Sequence, residues 1–500
     1  MGTIRKQSIL SSIIIYTGFL VGAINTWFFT TGNHFTEAEY GLTRVMFDIS
    51  QTFFALANLG TITILYRFYP YYRDLLPLKQ RDLFGKMMML ALAGFVVVCL
   101  FSLLFKDLVV QKFGTNSPLL VEYFYTIYPF TLGLLLFTMM ESQAWNLHSS
   151  VAANFFKELV LRLLTSLIII MFVLHWLDFS GFIHVFSLLY LAIFLGLLIY
   201  LLRSGRIYFT LKTSKVTRRM YKKMIPYGIF VFLVSFCTIL ARNFDSFIIS
   251  SVLGLKFTGI FNFASYLTSV MEGPYRGLIA ASTPVIAQAW KDKDMGRIAR
   301  IYQRSSINML LFSTFFFGLI WLNFHNAFKI LNINEAYLQG QTVLLLLGFT
   351  KIVEMGTGVN AQIIVTSRYW KMDLITNVIL LFTLIPLNYL LIKRYGINGS
   401  AGATLLAYIF FNLIRFGFIW IKFKMQPFTW RTVPAILAIA ACFFATRYLI
   451  KASSPLLEAI LQSTVYITLC GVLIISLRIS EDANRLATAG IEKVRGILRK

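Results

Sequence analysis

The chain has 500 residues, 58% hydrophobic and 13% charged, with a mean hydropathy of +0.72; a water-soluble fold cannot bury that much apolar surface. Its formal net charge of +25 does not mark a nucleic-acid binder, because the 48 Phe and 24 Tyr lie inside hydrophobic runs and do not interleave with Lys and Arg on a polar scaffold. Anionic membrane lipids account for the excess positive charge, and with no polar stretch long enough for a soluble core the chain reads as an all-α, polytopic membrane protein.

An apolar run of about 20 residues crosses the hydrocarbon core. Arg5 and Lys6 precede the first run, Ile9 to Thr30, which is too long for a signal peptide and has no small-residue cleavage site after it. Six more follow: Leu42 to Tyr66, Met87 to Phe105, Glu122 to Glu141, Ala152 to Leu174, Phe182 to Leu202 and Ile225 to Leu253. The remainder are Phe257 to Ala289, Ser305 to Phe324, Gln339 to Asn360, Met372 to Ile392, Gly399 to Ile421, Val433 to Ile450 and Leu456 to Leu477, about fourteen transmembrane helices in all.

Placing the amino terminus in the cytoplasm puts about 32 of the 46 Lys and Arg on that side and about 8 on the other, with about 6 inside spans. Both termini are therefore expected in the cytoplasm. The most basic connection, Arg203 to Lys223, separates two sets of six spans. The expected organisation is an N-terminal six-helix lobe over 1–210, a C-terminal six-helix lobe over 211–425, a trailing helix pair over 426–478 and a cytoplasmic tail over 479–500, the two lobes being parallel repeats. The tail reads as an amphipathic helix capped by Ser480, with Glu481 and Asp482 in its first turn and Leu486, Ile491, Val494 and Leu498 on one face.

Ionisable side chains inside a membrane are costly and mark function unless they serve packing. Five opposite-charge pairs stand at helical spacing: Arg44 with Asp48, Glu158 with Arg162, Arg242 with Asp245, Glu272 with Arg276, and Lys351 with Glu354. Arg415 has no partner within a turn. One reading makes the pairs structural, each neutralising itself against a neighbouring helix. The other has the six basic members bind an anionic group in a hydrated cavity between the halves, while Asp48, Glu158, Asp245, Glu272 and Glu354 hold them or take up a proton. Glu272-Gly273-Pro274-Tyr275-Arg276 places a helix breaker inside a pair, which suits either a cavity lining or a plain kink. Asn25, midway along the first span, is a further candidate for substrate contact or an interhelical hydrogen bond.

Soluble chemistry has no foothold in these residues. His34, His148, His175, His184 and His325 form no metal spacing, and no phosphate loop, dinucleotide fingerprint or nucleophile elbow occurs. Cys99, Cys237, Cys442 and Cys470 lie in apolar runs and read as packing residues. No catalytic residue, metal or cofactor is expected, and no enzyme.

Several stretches resemble one family. Glu39-Tyr40-Gly41-Leu42, Asn58-Leu59-Gly60 and Arg67-Phe68-Tyr69 are similar to the outer loop and second span of polysaccharide-type flippases in the multidrug/oligosaccharidyl-lipid/polysaccharide exporter superfamily. Asp245 to Ile249 with Gly254 and Thr258-Gly259-Ile260-Phe261-Asn262 resemble the seventh-to-eighth span signature, Pro284-Val285-Ile286-Ala287 with Asp292 and Asp294 the end of the eighth, and Tyr395 to Ala403 the entry to the twelfth. The resemblance implies a bacterial inner-membrane transporter that moves an undecaprenyl-pyrophosphate-linked oligosaccharide from the cytoplasmic to the periplasmic leaflet during polysaccharide, lipopolysaccharide or O-antigen synthesis. It also implies alternating access, a proton or sodium gradient as drive, and membrane lipids and the polysaccharide polymerase and ligase machinery as partners. The basic residues suit a pyrophosphate, which Arg holds through paired hydrogen bonds. The alternative within the superfamily is an ion-coupled exporter of small drugs, for which an acidic, aromatic cavity is expected. A glycosyltransferase or polymerase acting on the same lipid fits less well, since the outer loops are short.

Overall fold

Inside hydrocarbon every backbone N–H and C=O must be satisfied within the chain, which leaves these apolar runs the helix as their one open-ended solution. In the computed structural model every regular element among the described residues is helical. The structure describes residues 2–32, 34–147, 149–205, 207–477, 479, 482 and 484, with residues 2–9 and 12 described by their backbone alone. The expected tail helix, with Leu486, Ile491, Val494 and Leu498, lies outside the described residues.

The chain packs into two compact units, residues 1–259 and 260–500. The first holds α1 (Gly2–Thr30), α2 (Glu37–Asn58), α3 (Thr61–Leu75), α4 (Leu83–Leu104), α5 (Lys106–Phe113), α6 (Pro118–Glu122), α7 (Ile127–Asn146), α8 (Ser150–Asn154), α9 (Leu161–Val173), α10 (Phe179–Arg203) and α11 (Lys215–Val252), with the unit boundary falling inside α12 (Leu255–Ser269). α11 belongs to the first compact unit, where its Arg242, Asn243 and Ser246 bond to α2.

Local chemistry sets the ends of these helices. Thr36 caps α2 reciprocally with Glu39, accepting from the Glu39 N–H at 3.2 Å while its own N–H donates to Oε2 at 2.7 Å. The Asn58-Leu59-Gly60 motif breaks the helix. Leu59 and Gly60 are left-handed (φ 48° and 74°), α3 departs from α2 at 47°, and the Asn58 carboxamide accepts from the Thr61 hydroxyl at 2.5 Å to restart the chain. Between α8 and α9, residues Phe155–Val160 form a π-helical turn, a local widening often found at functional positions. The core of this unit runs through Leu42, Met46, Tyr72, Phe130, Phe137 and Leu197.

The second unit comprises α13 (Glu272–Lys291), α14 (Met295–Leu331), α15 (Gln341–Gly356), α16 (Asn360–Thr366), α17 (Lys371–Phe423), α18 (Thr432–Leu449) and α19 (Pro455–Ser476). α17 is two helices meeting at Gly396 (φ 59°). Its halves fold back on each other, since Arg415 touches Asp373, 42 residues away, a separation that would be roughly 63 Å along a straight helix. Ile479 is buried against α14, α18 and α19, and Asp482 receives Arg304 and Asn308 of α14.

Among the described residues, ten helices can cross a membrane by length and apolarity alone, and the bent α2–α3 pair makes eleven. The other expected spans coincide with helices broken in their course: α17 carries two, α8 to α9 carries the fifth and α12 with α13 the eighth. The eighth breaks at residues 270 and 271, ahead of Glu272, and not within the Gly273-Pro274 pair. Pro274 thus occupies the first turn of α13, where its missing N–H costs nothing. All four cysteines are free thiols.

Candidate functional site

In the first unit, α2 and α11 bring two of the expected pairs face to face. Asp48 accepts a hydrogen bond from the Ser246 hydroxyl and lies within electrostatic reach of Arg44, Arg242 and Asp245. Spacing alone paired Arg242 with Asp245, but the Arg242 guanidinium donates through Nη2 to Gln51 Oε1 of α2 at 2.9 Å, while its side chain is otherwise exposed. Asn243, buried beside it, donates to the Asp48 carbonyl at 3.0 Å and so clamps the two helices. The Arg44 guanidinium lies 5.0 Å from the centre of the Tyr40 ring.

A second cluster in the same unit gathers around the π-turn. Glu158 and Arg162 form the expected pair at 2.9 Å. Asn25 of α1 donates to the Arg162 carbonyl at 2.9 Å and accepts from Ser166 at 2.6 Å, so its side chain is engaged in interhelical hydrogen bonds. Arg162 lies over the Phe19 ring at 5.0 Å, and its Nη1 is buried with no hydrogen-bond partner among the described residues. Lys157, one residue before Glu158, places its amine 3.0 Å from both carboxylate oxygens of the buried Glu141 on α7. Spacing did not reveal that pair, because its members stand 16 residues apart on different helices. The available signal was each residue's position inside or at the end of an apolar run.

The second unit joins two expected pairs into one network. Glu272 holds Arg276 through Oε2 at 2.8 Å and Lys351 through Oε1 at 2.6 Å, and Lys351 also reaches Glu354 at 3.1 Å. The Lys351 side chain is 21% exposed, whereas that of Arg276 is 68% exposed. Arg415, nearly fully buried, finds its anion in Asp373, donates through Nε to Thr376 at 3.2 Å, and stacks on Phe411 at 4.1 Å. Between α15 and α16 the chain unwinds at Thr357–Gly358. There the Tyr275 hydroxyl donates to the Gly358 carbonyl at 3.2 Å and Ser306 to the Gly356 carbonyl at 2.5 Å, while Asn412 accepts from Thr357 and Asn360. Backbone released from helical bonding is thus re-paired by neighbouring side chains, Tyr275 and Ser306 on the carbonyls and Ser305, which accepts from the Val359 N–H at 3.3 Å.

These features define a multi-spanning α-helical membrane protein whose charges lie on packed helices. The family model for polysaccharide biosynthesis proteins matches residues 4–290, more than half of the chain, and the chain belongs to that family. Its fold is that of the exporter superfamily named above. It matches the lipid II flippase MurJ in an inward closed conformation with a TM-score of 0.69 and 16% identity, covering 94% of this chain and 99% of that one. A multidrug resistance MATE family transporter in an inward-facing conformation matches at 0.63 and 14% identity, over 83% of this chain and 98% of that one. A MOP superfamily transporter from Pyrococcus furiosus, described as having a binding pocket of reversed polarity, matches at 0.58 and 14% identity, over 84% and 96%. No curated protein matches the chain. The resemblance drawn from the sequence motifs therefore holds at the level of family and fold.

Proposed function

We propose that this protein is a flippase that carries an undecaprenyl-pyrophosphate-linked oligosaccharide from the cytoplasmic to the periplasmic leaflet of a bacterial inner membrane, by alternating access, with both termini cytoplasmic. The observation that carries the reading is the same in both units. An exposed guanidinium, Arg242 in one and Arg276 in the other, is tethered through a single Nη2 to an acceptor of its own unit, Gln51 or Glu272. A guanidinium fixed on one edge keeps its remaining N–H groups directed for a phosphate, and the tether removes part of the entropy cost of binding. Lys351, Arg162 and Arg415, each held by a carboxylate, and Arg44, which lies over Tyr40, are assigned a secondary part in binding, while Asp48, Asp245, Glu158 and Glu354 are the groups assigned to a coupling proton or sodium ion. Membership of the polysaccharide biosynthesis family and the fold shared with a lipid II flippase support the substrate class.

The test is surface-polysaccharide display in a strain lacking its own flippase, comparing the intact protein with Arg242→Ala and Arg276→Ala at matched membrane levels. Display restored by the intact protein and lost in both variants supports the reading. Full display in both variants removes the cationic site. Failure of the intact protein across several sugar backgrounds, with efflux of small cations in its place, selects the drug-exporter alternative.

A further inference from the structure

A long apolar furrow runs between α4 and α11 in the first unit, floored by the bend between α2 and α3. It consists of two cavities of about 300 and 580 Å³ joined through Leu59, Leu90 and Phe232, which line both. α11 lines one end with Tyr221, Ile225 and Ile229, and α4 lines the other with Val97, Phe101 and Phe105. The left-handed Leu59 and Gly60 create it, because turning α3 away from α2 by 47° leaves the flank of Leu59 uncovered. From Lys86 to Phe105 the rise along α4 is roughly 28 Å, close to the thickness of the hydrocarbon core.

One end of this furrow is basic. Arg218 precedes Ile225 by seven residues and Lys222 precedes Ile229 by seven, so both share the lining face of α11 and both are exposed. Lys86 stands one turn before Leu90 on α4, its amine fixed by Asp82 at 3.1 Å and Thr213 at 2.8 Å. The lining is also rich in aromatic faces, with Tyr221, Phe232, Phe53, Phe101 and Phe105 along its length. Two exposed cations, with Lys86 beside them balanced by Asp82, stand at the mouth of an apolar slot and match an amphiphile with an anionic headgroup. Ring faces along the slot suit an unsaturated, methyl-branched chain better than a saturated one.

We infer that the furrow between α4 and α11 is a binding site for a long polyprenyl phosphate, the tail in the slot and the phosphate at Arg218, Lys222 and Lys86. The inference rests on the flippase reading for the choice of lipid, and it assigns the tail a place on the first unit apart from the charged clusters described above. The site receives the lipid first, before its phosphate passes to the Arg242 and Arg276 guanidinium groups.

The experiment is photocrosslinking of the full-length protein in phospholipid nanodiscs supplemented with undecaprenyl phosphate. p-Benzoylphenylalanine is placed at Leu90, at Ile229, or at Leu437, a control position on α18 that is 63% exposed, and adducts are read by intact-protein mass spectrometry. Polyprenyl adducts enriched over phospholipid adducts at Leu90 and Ile229 but not at Leu437 are the expected result. Arg218→Ala/Lys222→Ala reduces that enrichment by roughly thirtyfold, the two side chains together contributing about 2 kcal/mol of headgroup attraction. Equal polyprenyl-to-phospholipid ratios at all three positions overturn the inference, as does enrichment that the double variant leaves unchanged. Crosslinking does not depend on transport. A protein that restores polysaccharide display with bulk ratios in the furrow keeps the flippase reading and loses this site. Enrichment without display keeps the site and loses flipping.

Discussion

Replacing Arg415 by Met strips Asp373 of the cation that neutralises it in a largely buried setting, the two side chains being 7% and 19% exposed. An ion left uncompensated in such a place costs about 3 to 5 kcal/mol, and Asp373→Leu, which strands the guanidinium instead, costs a similar amount. The double variant Arg415→Met/Asp373→Leu removes both charges and leaves side chains of comparable volume, so it returns to within about 2 kcal/mol of the parent protein. The coupling energy of the cycle is therefore about 4 kcal/mol or more, well above the roughly 0.5 kcal/mol scatter of independent sites. Reversible unfolding in mixed micelles, followed by tryptophan fluorescence, measures all four corners. Single variants that add within that scatter would refute the argument that α17 folds back at Gly396 to place this pair in contact.

Lys351→Met leaves Glu354 and one oxygen of Glu272 without their shared cation; since Arg276 still faces Glu272, the cost is expected near the lower end for a broken pair, about 3 kcal/mol, with loss of polysaccharide display at equal membrane abundance. Asp82→Asn weakens a fully buried carboxylate that accepts from the Ser214 N–H at 3.0 Å, the Thr217 hydroxyl at 2.8 Å and Lys86 at 3.1 Å, and so frees the segment before α11. The expected outcome is faster tryptic cleavage at Lys212 and Lys215 in inside-out vesicles, and an unchanged rate would remove Asp82 as the anchor of that segment. Gly60→Ala strains a left-handed position (φ 74°) and brings its new Cβ to 2.5 Å from the Gly228 carbonyl oxygen, costing more than the roughly 1 to 2 kcal/mol of the backbone strain alone. A thermal-stability measurement in detergent shows the loss directly.

The pattern of what was legible in the sequence follows from helix geometry. Glu158 with Arg162, Glu272 with Arg276 and Lys351 with Glu354 meet as their spacing predicts, because partners three or four residues apart share a face whatever the helix packs against. Partners on different helices depend on how each helix is rotated in the bundle, and single-helix periodicity holds no record of that. Hence Arg242 turning to Gln51, Lys351 reaching Glu272, Lys157 meeting Glu141 and Arg415 meeting Asp373 all emerged only from the folded chain. The break in the eighth span shows the same limit at the level of backbone. Gly273-Pro274 marks a helix start as readily as an interruption, and the structure uses it as a start. The spans themselves were easier to read, since lipid demands long apolar runs, although α2–α3 and α12–α13 bend or break in ways that apolar length conceals.

The central claim is tested most directly in proteoliposomes containing the purified protein and an undecaprenyl-pyrophosphate-linked oligosaccharide labelled on its sugar. The readout is the label's access, over time, to an impermeant glycosidase added outside. The account predicts that the intact protein moves internal label to the outer leaflet, and that Arg276→Ala at equal reconstitution efficiency leaves that label protected to the level of empty liposomes. Label that stays protected with the intact protein, under imposed proton and sodium gradients of either sign, would contradict the assignment of this chain as a flippase of lipid-linked sugars.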